Sequence, residues 1–212
     1  KTVTLKSSYK GTDLLNYNIK DQRTISSNIS EKTVTISGVT SLNKIYDGNN
    51  SATINTSFII YNDLIDGDDI SITYTGVFDD KNVGYNKIVT LKSSYSGKDL
   101  LNYNIINQIT TTTHIVKKIL TISGITCLNK IYDRNNNASI ITSDIIYHDL
   151  IDGEQILLHV SGEFDNKNTG YNKTVTLKSL YSGKDLLNYN IIDQNITSAN
   201  ISKAPLTISG II

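Results

Sequence analysis

Three histidines are the side chains in this sequence most suited to acid–base or metal chemistry near neutral pH. No two of them have the spacing of ligands to one metal ion. At the corresponding positions elsewhere in the chain, other polar residues stand in for them. The histidines are His114, His148 and His159, and the counterparts are Asn28 and Asn200, Asn62, and Thr73. We therefore interpret the histidines as polar surface residues that exchange with other polar residues, and we predict no catalytic residue.

Acidic side chains form a second group with possible chemistry, because oxygen-rich loops bind calcium through six to eight ligands. They occur in three turns: Asp63, Asp66, Asp68 and Asp69; Asp79 and Asp80; and Asp47 with Asn49 and Asn50. Where these turns recur later in the chain, Glu154, Gln155 and Asn166 replace Asp68, Asp69 and Asp80. A dedicated metal site would keep its charge, so solvated turn residues are favoured over calcium ligands. We predict no metal or cofactor.

These residues recur because the whole chain has a period of 86 residues, shown by the spacing of Tyr17, Tyr103 and Tyr189. The phrase TISG has the same spacing, and LNKIYD occurs twice at this interval. Such a period is longer than a solenoid repeat of roughly 20–50 residues, so each copy can have its own core.

The repeat predicts two complete domains and two incomplete ones. We place the late strands of a partial repeat at 1–33, complete repeats at 34–119 and 120–205, and the first strand of a further repeat at 206–212. Pro205, the only proline, lies at the boundary after the second complete repeat, where its restricted φ would stiffen the link to the next repeat. A longer native chain would complete the partial repeats. The alternative is strand donation between molecules, which would produce a fibre.

Alternation with period two predicts β-strands throughout. Ile70, Ile72 and Tyr74 share one face, and the second copy keeps that face apolar as Ile156, Leu158 and Val160. Turn signals separate the runs: YDGNN, DLIDGDD, DDKNVGYN and YSGKD. About seven short strands in each copy predict an all-β chain of tandem immunoglobulin-like antiparallel β-sandwich domains.

The recurring phrase DLLNYNI has the spacing of a tyrosine corner, in which a tyrosine hydroxyl bonds to the backbone of the preceding corner. Tyr103 would have this role in one copy and Tyr189 in the next, each with an aspartate four residues earlier. Ile105 would pack where antibodies have a disulfide cysteine. The phrase would then recur because each copy needs the same corner.

Composition narrows the choice of partners. Twenty basic and twenty acidic residues balance, which gives no electrostatic reason to expect nucleic acid or an anionic membrane. No apolar run is long enough to span a bilayer, and no signal peptide is visible.

Cys127 replaces Ser41, and we interpret it as a small packed residue, with an intermolecular bridge or reactive thiol as the alternative. Sequons occur at Asn28, Asn49, Asn55, Asn137, Asn172, Asn195 and Asn200.

The motifs LNKIYDGNNSATI, GDDISITYTGVFDDKNVGYNKIVTL and SYSGKDLLNYNI resemble the YDG domain. That domain is repeated in tandem in bacterial filamentous-haemagglutinin-like adhesins and other large surface proteins. The second copy departs from the signature, because Arg134 stands where the first copy has Gly48. A turn that needs φ > 0 there would be strained by Arg134 and less regular.

The resemblance implies a non-enzymatic structural repeat of an extracellular stalk, fibre or adhesin. The composition, rich in Asn, Ile and Lys, suits an AT-rich genome, so a low-GC bacterium or a giant virus with virion-surface fibres would both fit. The partners of the repeat would be neighbouring repeats of the same chain, with self-assembly into fibres as an extension. The alternative is a module that binds a host glycan or protein, with Tyr61 and Tyr147 as the shared aromatic candidates near a loop. An enzyme is the third possibility. A lysine isopeptide crosslink would suit a stalk, but the sequence singles out no pair.

Overall fold

The computed structural model describes residues 1–210 and confirms the predicted all-β class. Within these residues the helices are three short 3-10 segments, Leu14–Asn16, Leu100–Asn102 and Leu186–Asn188. No helix of the described chain has the length and apolarity needed to cross a membrane. Residues 206–210 of the predicted final strand are not in a strand, and residues 211 and 212 lie outside the described part.

Twenty-two strands occur in chain order within the described residues. Residues 1–33 contain the start of the series: β1 Thr2–Thr4, β2 Thr24–Ser26 and the first residues of β3. The first copy contains β3 Lys32–Ser37, β4 Thr40–Ser41, β5 Lys44–Ile45, β6 Ser51–Ala52, β7 Ile54–Asn55, β8 Ile60–Asn62, β9 Ser71–Phe78, β10 Gly84–Ser96, β11 Tyr103–Ile106 and β12 Thr110–Val116. The second contains β13 Lys118–Ser123, β14 Thr126–Cys127, β15 Lys130–Ile131, β16 Asn137–Ala138, β17 Ile140–Ile141, β18 Ile146–His148, β19 Leu157–Phe164, β20 Gly170–Ser182, β21 Tyr189–Ile192 and β22 Ile196–Ser202.

The chain divides into two compact units. Unit 1 consists of residues 1–39, 56–74 and 92–109, and unit 2 consists of residues 40–55, 75–91 and 110–212. Unit 2 therefore contains the second copy together with three segments of the first. The domain limits drawn from the repeat stay a prediction.

Unit 1 contains a three-stranded sheet with the order β11-β3-β8 and a ribbon formed by β1 and β2. Its core is formed by Val34, Ile36 and Tyr103, against which partly buried side chains such as Ile72 and Tyr74 pack. The alternation predicted for the start of β9 is therefore present, because the residues on its apolar face are those that reach this core.

Unit 2 contains two equivalent five-stranded sheets, one from each copy. Their orders are β5-β12-β10-β9-β6 and β15-β22-β20-β19-β16. Strands β9 and β10 also extend into unit 1. A three-stranded sheet, β18-β13-β21, and two short ribbons, β4-β7 and β14-β17, complete the unit.

Among the described strands, pairing is mostly antiparallel, as predicted, but four pairs are parallel. These are β3 with β11, β5 with β12, β13 with β21, and β15 with β22. In each pair an early strand of a copy lies beside a late strand that runs in the same direction. Parallel neighbours need a long connection, and the intervening strands of the copy supply it. The immunoglobulin-like sandwich arrangement itself stays a prediction.

Strand β19 shows how the sequence pattern becomes packing. Leu158 and Val160 are partly buried and Phe164 is 2% exposed, whereas Leu157 and His159 face outward. Gly162 lies on the inner face, where a Cβ would come within 2.6 Å of Ile140 Cδ1. Alternation thus places one face of the strand inward, as period-two sequences do when one side of a sheet is covered.

Candidate functional site at the joint between the copies

The repeated tyrosines of DLLNYNI have buried hydroxyls that bond to a turn far upstream. Tyr189 Oη accepts a hydrogen bond from the Ile151 N–H at 3.1 Å, and Tyr103 Oη accepts one from the Ile65 N–H at 3.1 Å. The partner lies 38 residues earlier in each case, in the DLIDG turn. The tyrosine-corner prediction was therefore wrong about the partner, although it was right that the hydroxyl is anchored to backbone.

The aspartate before each tyrosine has a separate role. Asp99 Oδ2 accepts a hydrogen bond from the Asp69 N–H at 2.8 Å, and Asp185 Oδ2 accepts one from the Gln155 N–H at 3.2 Å. The DLLNY segment of each copy is thus tied to the DLIDG turn by its tyrosine and to the residue two positions after that turn by its aspartate. This explains why D-x-x-x-Y recurs as a unit.

Glu154 in the second copy is the centre of a cluster that includes side chains of the first copy. Its carboxylate Oε2 accepts from the Tyr189 hydroxyl at 2.7 Å. Its Oε1 accepts from Lys81 Nζ at 2.9 Å and from the Tyr46 hydroxyl. The Glu154 side chain is only 4% exposed. Three donors from two copies therefore converge on one buried carboxylate.

We call the contact that Glu154 and Tyr189 make with Tyr46 and Lys81 the joint. Tyr46, the tyrosine of the YDG signature, is packed into it. It is 1% exposed, and its ring meets that of Tyr189 edge to face, with the centroids 5.7 Å apart. Lys81 Nζ lies 5.8 Å from the centre of the Tyr46 ring. Both geometries are favourable for aromatic rings, the first between rings and the second toward a cation.

Asn188 forms a second polar contact between the copies. Its Oδ1 accepts from the Val83 N–H at 3.0 Å, and its Nδ2 donates to Asn82 Oδ1 at 3.2 Å. Asn188 is 3% exposed. Because a buried amide left without partners is costly, this residue specifies how the second copy meets the 82–83 segment.

The ionisable side chains of the joint shift one another's pKa values. Burial alone raises the pKa of Glu154, but hydrogen bonds from Tyr46, Tyr189 and Lys81 outweigh it and hold that pKa below its ordinary value. Hydrogen bonds to Glu154 and Tyr46 raise the pKa of Lys81. Burial, and then the bond to Glu154, raises the pKa of Tyr189. At neutral pH the joint therefore contains an ionised carboxylate, an ammonium and two neutral hydroxyls.

The YDGNN turn, one of the three candidate calcium loops, surrounds a lysine of its own copy. Lys44 Nζ lies 2.8 Å from Asp47 Oδ1 and donates to Asn49 Oδ1 at 2.6 Å. Lys130 makes the same contacts with Asp133 and Asn135. The turn's oxygens thus bind an ammonium group from the neighbouring strand.

Lysines also contact the second acidic turn. Lys87 Nζ, with a side chain 9% exposed, lies 2.9 Å from carboxylate oxygens of both Asp79 and Asp80. Lys173 contacts Asp165 at 2.6 Å in the second copy. Within residues 1–210 no group of three or more His, Cys, Asp or Glu side chains is arranged to bind a metal.

The close approach of Lys44 and Asn49 identifies a lysine–amide pair that the sequence did not single out for a crosslink. Burial raises the pKa of Asp47, but its bonds to Lys44 and Asn49 prevail and lower it. The neighbouring carboxylate is therefore ionised, and Lys44 forms an ion pair with it.

The turn at Arg134 is more regular than its sequence predicted. Arg134 does adopt a positive φ of 70°, close to the 79° of Gly48. Nevertheless, Asp133 Oδ1 accepts from the Asn135 N–H at 3.1 Å, the same distance as between Asp47 and Asn49. The expected irregularity is absent, because the lysine-centred bonds hold the turn in either copy.

The histidines occupy structural positions equivalent to those of their polar counterparts. His114 Nδ1 accepts from the Asn86 N–H at 2.9 Å, as Asn200 Oδ1 accepts from the Asn172 N–H at 2.7 Å. His148 Nε2 lies 2.8 Å from Ser123 Oγ, and His159 is exposed on β19.

The remaining candidates are also packed or tied to the backbone. Cys127 is half-buried, burial raises the pKa of its thiol, and Sγ lies 3.3 Å from the Leu128 carbonyl. Tyr61 and Tyr147 are partly buried on β8 and β18 rather than displayed on a loop. These two tyrosines therefore do not form an exposed aromatic surface.

The residues of the joint were not predicted from sequence. The sequence marks Glu154 only as one replacement in an acidic turn whose total charge falls, and it does not single out Lys81, Asn188 or the role of Tyr46. One signal was present in the sequence. The five residues DLIDG are identical in the two copies, but the next residue is Asp68 in the first copy and the longer Glu154 in the second.

Comparison with known proteins gives one family. The profile described as the YDG domain matches residues 30–113 and, a second time, residues 116–198. Among curated proteins, none matches the chain.

Proposed function

This chain belongs to the YDG domain family, and from that premise we propose that it is a non-enzymatic structural repeat of an extracellular or virion-surface stalk, fibre or adhesin. We also propose that each copy folds as an immunoglobulin-like β-sandwich. The two tandem matches support a repeated design. The partners of each repeat are then its neighbours in the same chain.

The observation that carries this proposal is the joint at Glu154. A buried carboxylate with three donors is directional, and it holds the second copy to Tyr46 and Lys81 of the first. A flexible linker between independent binding modules would need no such cluster. A structural array benefits from it, because each joint adds a nearest-neighbour stabilisation.

Antibody labelling of the source tests the proposed location. Antibodies raised against residues 1–212 should label intact cells or particles, and the gold particles should follow fibres or stalks. A matched sample, permeabilised before labelling, shows how much antigen is hidden. Label that is found only after permeabilisation contradicts the proposal.

A binding module is the second candidate, and one difference between the copies favours it. On the outer face of the second copy, Leu157 is 65% and Leu180 71% exposed, with Leu180 paired opposite His159. The first copy has Ser71, Thr73 and Ser94 at the corresponding positions. Two exposed leucines on adjacent strands, which the first copy lacks, are a candidate recognition surface of the second copy alone.

Replacing both leucines with the serines of the first copy separates the two candidates. Glycan arrays and host-cell binding would be measured with the original chain and with the double variant Leu157→Ser, Leu180→Ser. Binding lost in the variant at unchanged thermal stability supports recognition by this face. Equal signals from both proteins argue against it.

A further inference from the structure

The second copy repeats the residues with which the first copy binds its neighbour, with a threonine in place of the valine that contributes only its backbone N–H. Tyr132, Lys167, Asn168 and Thr169 correspond to Tyr46, Lys81, Asn82 and Val83. Tyr46 is buried in the joint, whereas Tyr132 is only partly buried, and Lys167 and Thr169 are exposed where Lys81 and Val83 are half-buried. Within residues 1–210 the Thr169 N–H, unlike the Val83 N–H, meets no asparagine side chain.

We infer that Tyr132, Lys167, Asn168 and Thr169 form a binding surface for a further YDG repeat, which contributes one carboxylate and one asparagine. This inference rests on the proposed function, because it assigns the partner of the same joint. We call these four residues the donor end. A hydroxyl, an ammonium and a backbone N–H at the donor end are all hydrogen-bond donors, so they require acceptors from the partner.

The structure contains the matching acceptors on the first copy. Asp68 takes the position of Glu154, and Tyr103 donates to its Oδ2 at 2.5 Å, which leaves Oδ1 for further donors. Asn102, the counterpart of buried Asn188, is exposed. Ile65, Asp68, Asn102 and Tyr103 line a cleft of about 610 Å³. We call these residues the acceptor end.

The two ends are chemically unlike, and this gives the contact a direction. A donor end facing another donor end would place two ammonium groups together, and two acceptor ends would oppose two carboxylates. Only the pairing of donor with acceptor reproduces the contacts around Glu154 and Asn188. The repeats therefore join head to tail, a heterologous contact that can continue indefinitely.

Adding one repeat to the chain tests the inference. A copy of residues 120–205 is appended after residue 205, and amide hydrogen exchange is measured in both proteins. The Thr169 amide should become at least about tenfold more protected in the extended chain, and approach the protection of Val83. Val83 serves as the internal reference, because its amide is already bonded to Asn188 in both proteins.

A matched variant shows whether the protection comes from the joint. Replacing the appended counterpart of Asn188 with alanine should return Thr169 to rapid exchange while the core amides of the appended repeat stay protected. The same substitution within the chain, Asn188→Ala, should expose the Val83 amide instead.

Two results would overturn the inference. One is rapid exchange at Thr169 beside a folded appended repeat. The other is an appended repeat that stays unfolded whether it is a copy of residues 120–205 or of residues 34–119. The joint should stabilise the repeat that it binds, so at least one of the two should fold. Neither result bears on surface labelling, so failure of the joint and failure of the proposed function are distinguishable.

Discussion

Residue-scale chemistry in this protein centres on Glu154. Transfer of a carboxylate from water to a protein interior is costly unless hydrogen bonds replace its hydration. Here Tyr46, Tyr189 and Lys81 supply three. The lowered pKa of Glu154 indicates that these donors more than offset its burial.

We expect the contribution of Glu154 to depend on pH. Because its pKa is lower in the folded chain, the ionised form stabilises folding above the ordinary carboxyl pKa of about 4.3, and this stabilisation is lost as the pH falls through the folded value. Glu154→Gln should therefore cost about 1–3 kcal/mol at pH 7 and much less at pH 3. Urea unfolding of both proteins at the two pH values measures the difference. A gap that is the same at both would contradict this account.

The two buried tyrosines provide a matched comparison. Tyr189→Phe leaves the Ile151 N–H without an acceptor and removes a donor from Glu154, which should destabilise the protein by about 1–3 kcal/mol. Tyr103→Phe should cost less, because its carboxylate partner, Asp68, is accessible to water. Thermal unfolding of the two variants checks the order, and a larger loss for Tyr103→Phe would refute it.

At the scale of elements, turns with positive φ determine how strands connect. The YDG turn adopts the same left-handed conformation with glycine in the first copy and arginine in the second. Its internal hydrogen bonds are also equal, so the lysine-centred contacts compensate for a conformation that L-residues disfavour. The strain is present even though the geometry is regular.

Relief of this strain should stabilise the second copy. Arg134→Gly should increase the free energy of unfolding by about 0.5–1 kcal/mol, because glycine reaches positive φ without steric cost. The reciprocal Gly48→Arg should destabilise more, since a Cβ there would lie 3.1 Å from Ile151 Cγ2 in the joint. Chemical denaturation of both variants measures the pair. Destabilisation by Arg134→Gly would contradict the expectation.

Gly124 and Gly153 separate steric exclusion from backbone strain. Their φ values are 83° and 81°, but a Cβ on Gly124 would lie 2.1 Å from the Asp144 carbonyl oxygen, whereas one on Gly153 would meet nothing within 4 Å. Gly153→Ala should cost about 1 kcal/mol from strain alone. Gly124→Ala should cost about 3 kcal/mol or more, because backbone has to move. Equal losses in thermal unfolding would show that the contact with Asp144 is unimportant.

At the scale of the whole molecule, the second copy is coupled to residues of the first through unit 2. Tyr46 and Glu154 are 108 residues apart in the chain, yet they share a hydrogen bond. The two YDG matches are therefore joined by a hydrogen bond as well as by the covalent chain. Such nearest-neighbour coupling is characteristic of repeat arrays.

A double-mutant cycle measures this coupling directly. Tyr46→Phe and Glu154→Gln should each destabilise, and the double variant should lose about 1–3 kcal/mol less than the sum. Tyr46→Phe combined with Tyr181→Phe is the control, because Tyr181 donates to Asp193 and shares no partner with Tyr46. The control pair should be additive. Additivity in both cycles would mean that the joint does not couple the copies.

Much of the fold was available from sequence because it depends on short-range patterns. The 86-residue period follows from recurring phrases, and the apolar faces of β9 and β19 and the turns between strands follow from side-chain alternation and turn chemistry. The family could also be recognised, since its motifs are contiguous. The parallel pairing of β13 with β21 was not foreseen, because register between strands about 70 residues apart leaves no local signal.

The joint was decided only by the tertiary structure. Periodicity compares equivalent positions, whereas Tyr46, Lys81, Glu154 and Asn188 occupy four different positions of the repeat. In the sequence, Glu154 is one acidic residue of a polar turn, with nothing to indicate whether water or protein surrounds it. Packing of the second copy against the first covers the Glu154 carboxylate and adds Tyr46 and Lys81 to the donor that Tyr189 supplies within the same copy. Sequence by itself determined the repeated β-fold, while the folded chain determined which of its polar residues are buried against a neighbouring copy.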